Sequence, residues 1–180
     1  MILNNLQRLK SELKRLENGK NDNESPKGIG TVRFKVLCNG NSEDVLLQAK
    51  LVLTEVIRKI LQSKNWPSDD EWLSYLPGWF VDRCVKEPTK EEADKWLKWW
   101  RGLNEEEQIR AAKEKPWSVG TWIYWLYPSR RTWYWWDYEI INPDLCVIDI
   151  EVDDWPFPWG ALEWLFRASG ALSVVEEDDS

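Results

Sequence analysis

The chain has 180 residues, among them 15 tryptophans and no histidine, and its 24 basic and 31 acidic side chains leave a formal net charge of −7. This length predicts one compact domain. The missing histidine excludes Ser-His-Asp and Cys-His catalysis, histidine-ligated zinc and histidine phosphotransfer. The acidic balance argues against a nucleic-acid partner, because affinity for phosphate backbones comes from clustered Lys and Arg.

Residues 2–17 read as an amphipathic helix, with Ile2, Leu6, Leu9, Leu13 and Leu16 spaced by alternating fours and threes along a heptad seam. Two heptads are too few for a free-standing coiled coil. The seam therefore needs a surface to lie on, whether its own domain, a second copy of the chain in a homodimer, or a partner protein, and one of the last two is expected. No apolar stretch of signal-peptide type opens the sequence. The longest apolar run, Trp122 to Tyr127, is far below the ~20 residues needed to span a bilayer, so no membrane contact is expected. Residues 18–28 are poor in apolar side chains and rich in breakers, and read as a flexible linker.

A globular domain is expected over 29–172. It opens with a strand, Ile29 to Cys38, that sends Val32, Phe34 and Val36 one way and Arg33 and Lys35 the other. A long helix follows over about 43–63, its stripe made by Val45, Ala49, Val52, Leu53, Val56 and Ile60. Three capping boxes come next: Ser68 with Glu71, Thr89 with Glu92, and Asn104 with Glu107. The helix after Thr89 is expected to bury Ala93, Trp96, Leu97 and Trp100, and Ser118 caps a further helix to about Leu126.

After the Pro128–Arg131 turn the period changes to two. Tyr134, Trp136, Tyr138 and Ile140 alternate with Trp133, Trp135, Asp137 and Glu139. Beyond Asn142-Pro143-Asp144, the residues Cys146, Ile148, Ile150 and Val152 alternate with Val147, Asp149, Glu151 and Asp153. This pattern predicts a β-hairpin over 132–141 and 146–153, with Tyr134, Trp136 and Tyr138 buried. A last helix starts near Pro158 and stops at Gly170, and residues 173–180 read as an acidic tail. The fold class these elements define is α+β: a mainly helical single domain. It has a small antiparallel sheet, made of the C-terminal hairpin plus one N-terminal strand, and a tethered N-terminal helix.

Two features bear on function. Most tryptophans fit apolar faces, but Trp99, Trp125, Trp133, Trp135 and Trp164 do not, and at least two of them are expected to stay exposed and cluster on one surface. The polar hairpin face gathers Asp137, Glu139, Asp149, Glu151 and Asp153, and like charges across strands are destabilising. Arg33 and Lys35 are expected to offset them. Beside those carboxylates, Trp133 and Trp135 would grip Lys or Arg of a partner by cation–π contact and charge pairing.

The expected function is therefore that of a non-catalytic protein-binding protein: an adaptor, inhibitor or accessory subunit with a basic partner and no cofactor. Cys38, Cys84 and Cys146 are odd in number and form no CxxC pair, as suits reduced, buried thiols in the cytoplasm. One alternative is a small-molecule or carbohydrate-binding domain with Trp platforms. A second is a carboxylate-dependent, metal-assisted hydrolase built on Asp149-x-Glu151-x-Asp153. The sequence has no Gly-rich phosphate loop and no solenoid repeat.

Overall fold

Alternating side chains build the sheet at the centre of the molecule. In the computed structural model, which describes residues 2–177 and their side chains from residue 5 onward, β1 (Gly30–Leu37), β2 (Trp133–Asn142), β3 (Leu145–Val152) and β4 (Ser173–Glu176) are ordered β2-β3-β1-β4, every pairing antiparallel. The expected hairpin is present as β2 and β3. β1 joins it along its whole length, from Gly30 opposite Val152 to Leu37 opposite Leu145.

Among the described residues there are eight helices: α1 (Ile2–Asn18), α2 (Ser42–Gln62), α3 (Asp69–Tyr75), α4 (Gly78–Arg83), α5 (Lys90–Arg101), α6 (Glu105–Glu114), α7 (Val119–Tyr124) and α8 (Gly160–Ala168). The chain is thus an α+β domain with a small antiparallel sheet. All three capping boxes form, each with the Ser, Thr or Asn side chain accepting from the third residue of its helix and the Glu accepting in return. Each cap contributes on the order of 1 kcal/mol to its helix. Among the described residues no helix is long and apolar enough to cross a membrane.

One face of the sheet is the core. Phe34, Val36, Cys146, Ile148 and Ile150 from β1 and β3 are sealed under α2 and α8, which supply Val45, Ala49, Val52, Leu53, Leu162, Leu165 and Phe166. Burying each such Val, Leu, Ile or Phe is worth roughly 1.5–3 kcal/mol. Gly170 ends α8 with φ near +108°, a conformation that a residue with a Cβ resists.

The expected hairpin phase holds for only part of β2. Trp133 pairs with Val152 and Trp135 with Ile150, but the register slips between Trp135 and Asp137. Asp137 then pairs with Asp149 and Tyr138 with Ile148. The extra residue is Trp136, and such a bulge reverses the alternation of everything beyond it. Trp133, Trp135, Tyr138 and Ile140 consequently share the core-side face, while Tyr134, Trp136, Asp137 and Glu139 share the other. Trp133 and Trp135 are both 1% exposed, and Trp135 stacks on Phe166 with ring centres 6.4 Å apart. Tyr138 and Ile140 point to the core side but lie past its rim, so both are exposed rather than buried.

Two further expectations are corrected. The apolar seam of α1 lies on its own domain: Leu9 and Leu16 are buried in the common core, Leu13 packs against it, and Leu6 is half-buried. The side chain of Ile2 lies outside the described residues. Residues 173–176, expected in the acidic tail, instead form β4 beside β1, because Val174 alternates with Ser173 and Val175 and can bury itself completely.

Candidate interaction surfaces

β2 is an edge strand, and a free edge leaves a row of backbone donors and acceptors unpaired. Here α1 covers it with charged side chains. Glu12 Oε1 accepts the backbone N–H of Trp135 at 2.7 Å, and Arg15 Nε donates to the Trp135 carbonyl at 2.8 Å. Glu12 also accepts from Arg131 at 2.5 Å. These groups are almost wholly enclosed, with Glu12 0%, Arg15 3% and Arg131 4% exposed. Burial holds the Glu12 carboxyl above its ordinary range, and the Arg131 charge acts in the opposite sense. Its second oxygen has no hydrogen-bond partner among the described residues.

The same helix reaches onto the outer face of the sheet. The Arg8 guanidinium lies 3.7 Å from the centre of the Tyr134 ring, and that of Arg15 lies 4.7 Å from the centre of the Trp136 ring. Arg8 pairs with Glu151 at 2.9 Å and with Asp153, and Arg15 stands 3.5 Å from the other Glu151 oxygen. Glu151 also accepts the backbone N–H groups of Lys27 and Gly28, while Glu24 pairs with Arg15. The 19–28 segment, which has no helix or strand, is thereby fastened at its far end and midway. Aromatic rings beside carboxylates hold arginine on this hairpin, but not in the arrangement expected from the sequence. The rings are Tyr134 and Trp136 in place of Trp133 and Trp135, and the arginines belong to the same chain.

Two of the three remaining hairpin acids, Asp149 and Asp137, are also engaged. Arg33 gives a two-pronged bond to Asp149, at 2.8 and 2.9 Å, because β1 places them directly opposite one another. That bond pushes Arg33 further above its already high range. Lys20 stands 3.7 Å from Asp137, Lys35 pairs with Glu177, and Glu139 is exposed. Among the described residues no group of three or more Asp, Glu or Cys side chains converges in a way that could hold a metal ion.

The five tryptophans that break the local patterns separate into two sets. Trp133, Trp135 and Trp164 are core, the last only 6% exposed, since α8 is covered on nearly every side and a helical wheel cannot register what packs across from it. Trp99 is 54% exposed and Trp125 half-buried, and each lines a surface cleft.

The Trp99 cleft lies between α5 and α6. Neither helix buries a single residue, so Ala93, Trp96, Leu97 and Trp100, expected in a core, are at most half-buried. The two helices are held largely by each other. Trp100 Nε1 donates to the Gln108 carbonyl at 2.9 Å, and Gln108 Nε2 returns a bond to the Trp100 carbonyl at 3.1 Å. Lys115 Nζ sits 3.7 Å from the centre of the Trp96 ring. Their groove, about 650 Å³, is lined by Val85, Trp96, Trp99, Leu103 and Ala111, with Glu107, Arg110 and Glu114 at its rim. Leu97 and Ile109, on the same two helices, are also exposed. The Trp125 cleft, about 590 Å³, lies at the end of α7.

Sequence patterning missed Arg8, Glu12, Arg15 and Arg131 as a linked set. A signal was present in the spacing of Arg8, Glu12 and Arg15 by four and three, the seam's own period, which places all three along one side of α1. Their partners on β2 and β3 are more than 100 residues away in sequence, and no local pattern reports them.

The fold and its surfaces define a histidine-free α+β domain whose β2 edge is covered by α1 and whose surface carries aromatic clefts at Trp99 and Trp125. Comparison with known protein families, curated proteins and solved structures finds no match to the chain.

Proposed function

We propose that this chain is a non-catalytic, cytoplasmic protein-binding protein, an adaptor, inhibitor or accessory subunit, that docks its partner on the α5–α6 hairpin. The observation that carries the reading is that α5 and α6, 12 and 10 residues long, bury none of their side chains yet present Leu97, Trp99 and Ile109 to solvent beside a Trp-lined groove. Isolated helices of this length are marginal in water and draw their stability from packing. An exposed aromatic and aliphatic surface with a polar rim is the usual form of a docking site, and Trp is a favoured anchor there. The net charge of −7 suits a basic partner by steering its approach. Three free cysteines suit a reducing compartment.

The test replaces residue 99 or 109 by a photo-crosslinking amino acid in the native cell and compares each with Trp99→Glu and Ile109→Glu chains. Support requires the same protein to be captured from both positions and lost in both Glu variants, with unchanged circular dichroism. A partner retained by both Glu variants, or cross-linked only from other surfaces, overturns the reading.

A further inference from the structure

The second cleft has a different chemistry. It lies between the segment that leads into α3, the 85–88 segment and the end of α7, and Trp66, Tyr124, Trp125 and Tyr127 form its walls. Trp66 and Tyr127 lock one another edge to face at 4.7 Å, and Trp66 leans on buried Trp72 at 5.2 Å. Tyr124 and Trp125 meet at 83° with centres 5.6 Å apart, which makes a rigid aromatic corner. Tyr124 is 49% exposed.

Polar groups of three kinds face the same space. Asp69 and Glu87 can only accept, and among the described residues neither side chain has an ion-pair or hydrogen-bond partner. Arg130 can only donate. It lies over Tyr124 at 4.0 Å and near Tyr127 at 5.3 Å, with no carboxylate or carbonyl paired to its guanidinium among the described residues. Thr121 accepts from the Ser118 hydroxyl, so its own proton remains to be given. Glu87 lies over Gly120 of α7, where a Cβ would stand 2.6 Å from its Oε2. The bridge between Val85 and Ser118 fixes the segment that carries it.

We propose that this cleft is a binding site for a neutral saccharide. A ligand carrying only positive charge would meet Arg130, and one carrying only negative charge would meet Asp69 and Glu87. A sugar hydroxyl donates and accepts at once, and so satisfies carboxylate, guanidinium and Thr hydroxyl together. The C–H face of a pyranose ring is apolar and fits flat on an indole or phenol ring. The volume of about 590 Å³ falls within the range of roughly 300–1,000 Å³ usual for ligand clefts that combine apolar walls with a few placed polar groups. This site is separate from the α5–α6 docking surface, and neither reading depends on the other.

The experiment titrates the full chain with cellohexaose, chitohexaose, maltohexaose and mannohexaose, and with tetramethylammonium and free arginine as cationic probes. Binding is followed by calorimetry and tryptophan fluorescence. The expected result is saturable binding of at least one hexasaccharide, weakened tenfold or more by Tyr124→Ala and by Glu87→Gln and unchanged by Trp99→Ala. Tyr124 and Glu87 are exposed, so both variants are expected to keep the wild-type melting temperature, which is measured alongside. Failure of all four sugars to bind, binding that ignores both substitutions, or binding of the cationic probes in place of sugar overturns the proposal.

Discussion

Glu12 and Arg131 form an ion pair at 2.5 Å, with both side chains shut away from solvent, and the same Glu12 oxygen takes the backbone N–H of Trp135. A helix side chain thus stands in for the neighbouring strand that β2 lacks. Covering an edge with a helix prevents two sheets from joining edge to edge. It also places charge where charge is costly, and the cost is offset only while every member of the set stays in position.

Removing one member is therefore expected to be severe. Glu12→Ala leaves Arg131 buried without its counter-charge and should destabilise the fold by about 3–5 kcal/mol, read from urea denaturation. The double change Glu12→Leu with Arg131→Leu should cost clearly less than the sum of Glu12→Leu and Arg131→Leu. Hydrogen exchange at the Trp135 amide should accelerate in Glu12→Ala more than elsewhere in β2. Additive losses, or an unchanged Trp135 amide, would show that α1 does not cap this edge.

The same carboxyl gives the fold a dependence on pH. Burial, only partly countered by Arg131, raises Glu12 above its ordinary 4.5. The native state then holds the proton more tightly than the unfolded chain. This group's contribution is most favourable at low pH and declines as pH rises from about 4.5 through the folded value. Glu12→Gln cannot titrate. The stability of the wild-type chain relative to Glu12→Gln should thus improve as pH falls through the raised folded value toward 4.5. Parallel profiles for the two chains would contradict this.

The tryptophans should separate cleanly on substitution. Trp135→Ala removes a ring that is 1% exposed and stacked on Phe166, and should cost about 3–5 kcal/mol. Trp99→Ala removes a ring that is 54% exposed, and should stay within about 0.5 kcal/mol. Chemical denaturation of both variants checks the ranking. A large loss at Trp99 would mark it as a structural prop of the α5–α6 hairpin.

The thiols should be inert in the native protein. Burial pushes Cys146 up to about 12 and raises Cys38 and Cys84 as well. The thiolate is the reactive form, so a disulfide reagent at pH 8 should modify native protein slowly and all three cysteines promptly after denaturation. Rapid labelling of any cysteine in the folded chain would refute the assignment.

Local patterning was enough for much of this protein. The three capping boxes, the strand of Val32, Phe34 and Val36, the turn at Pro143 and the end of α8 at Gly170 each depend on residues within a few positions of one another. The opposition of Arg33 to Asp149 could also be anticipated, since clustered carboxylates on a sheet face call for a cation and β1 had two to offer. Three matters were decided only in tertiary structure. The bulge at Trp136 exchanges the faces of β2, because a strand has period two and one added residue reverses everything after it. The α1 seam is satisfied within the chain because α2 and the free edge of β2 meet beside it, a juxtaposition more than 100 residues wide in sequence. Finally, an amphipathic pattern states that a helix has an apolar side and is silent on what will cover it. α8 found neighbours on nearly every side and buried Trp164, whereas α5 packs mainly on α6 and left Trp99 in solvent.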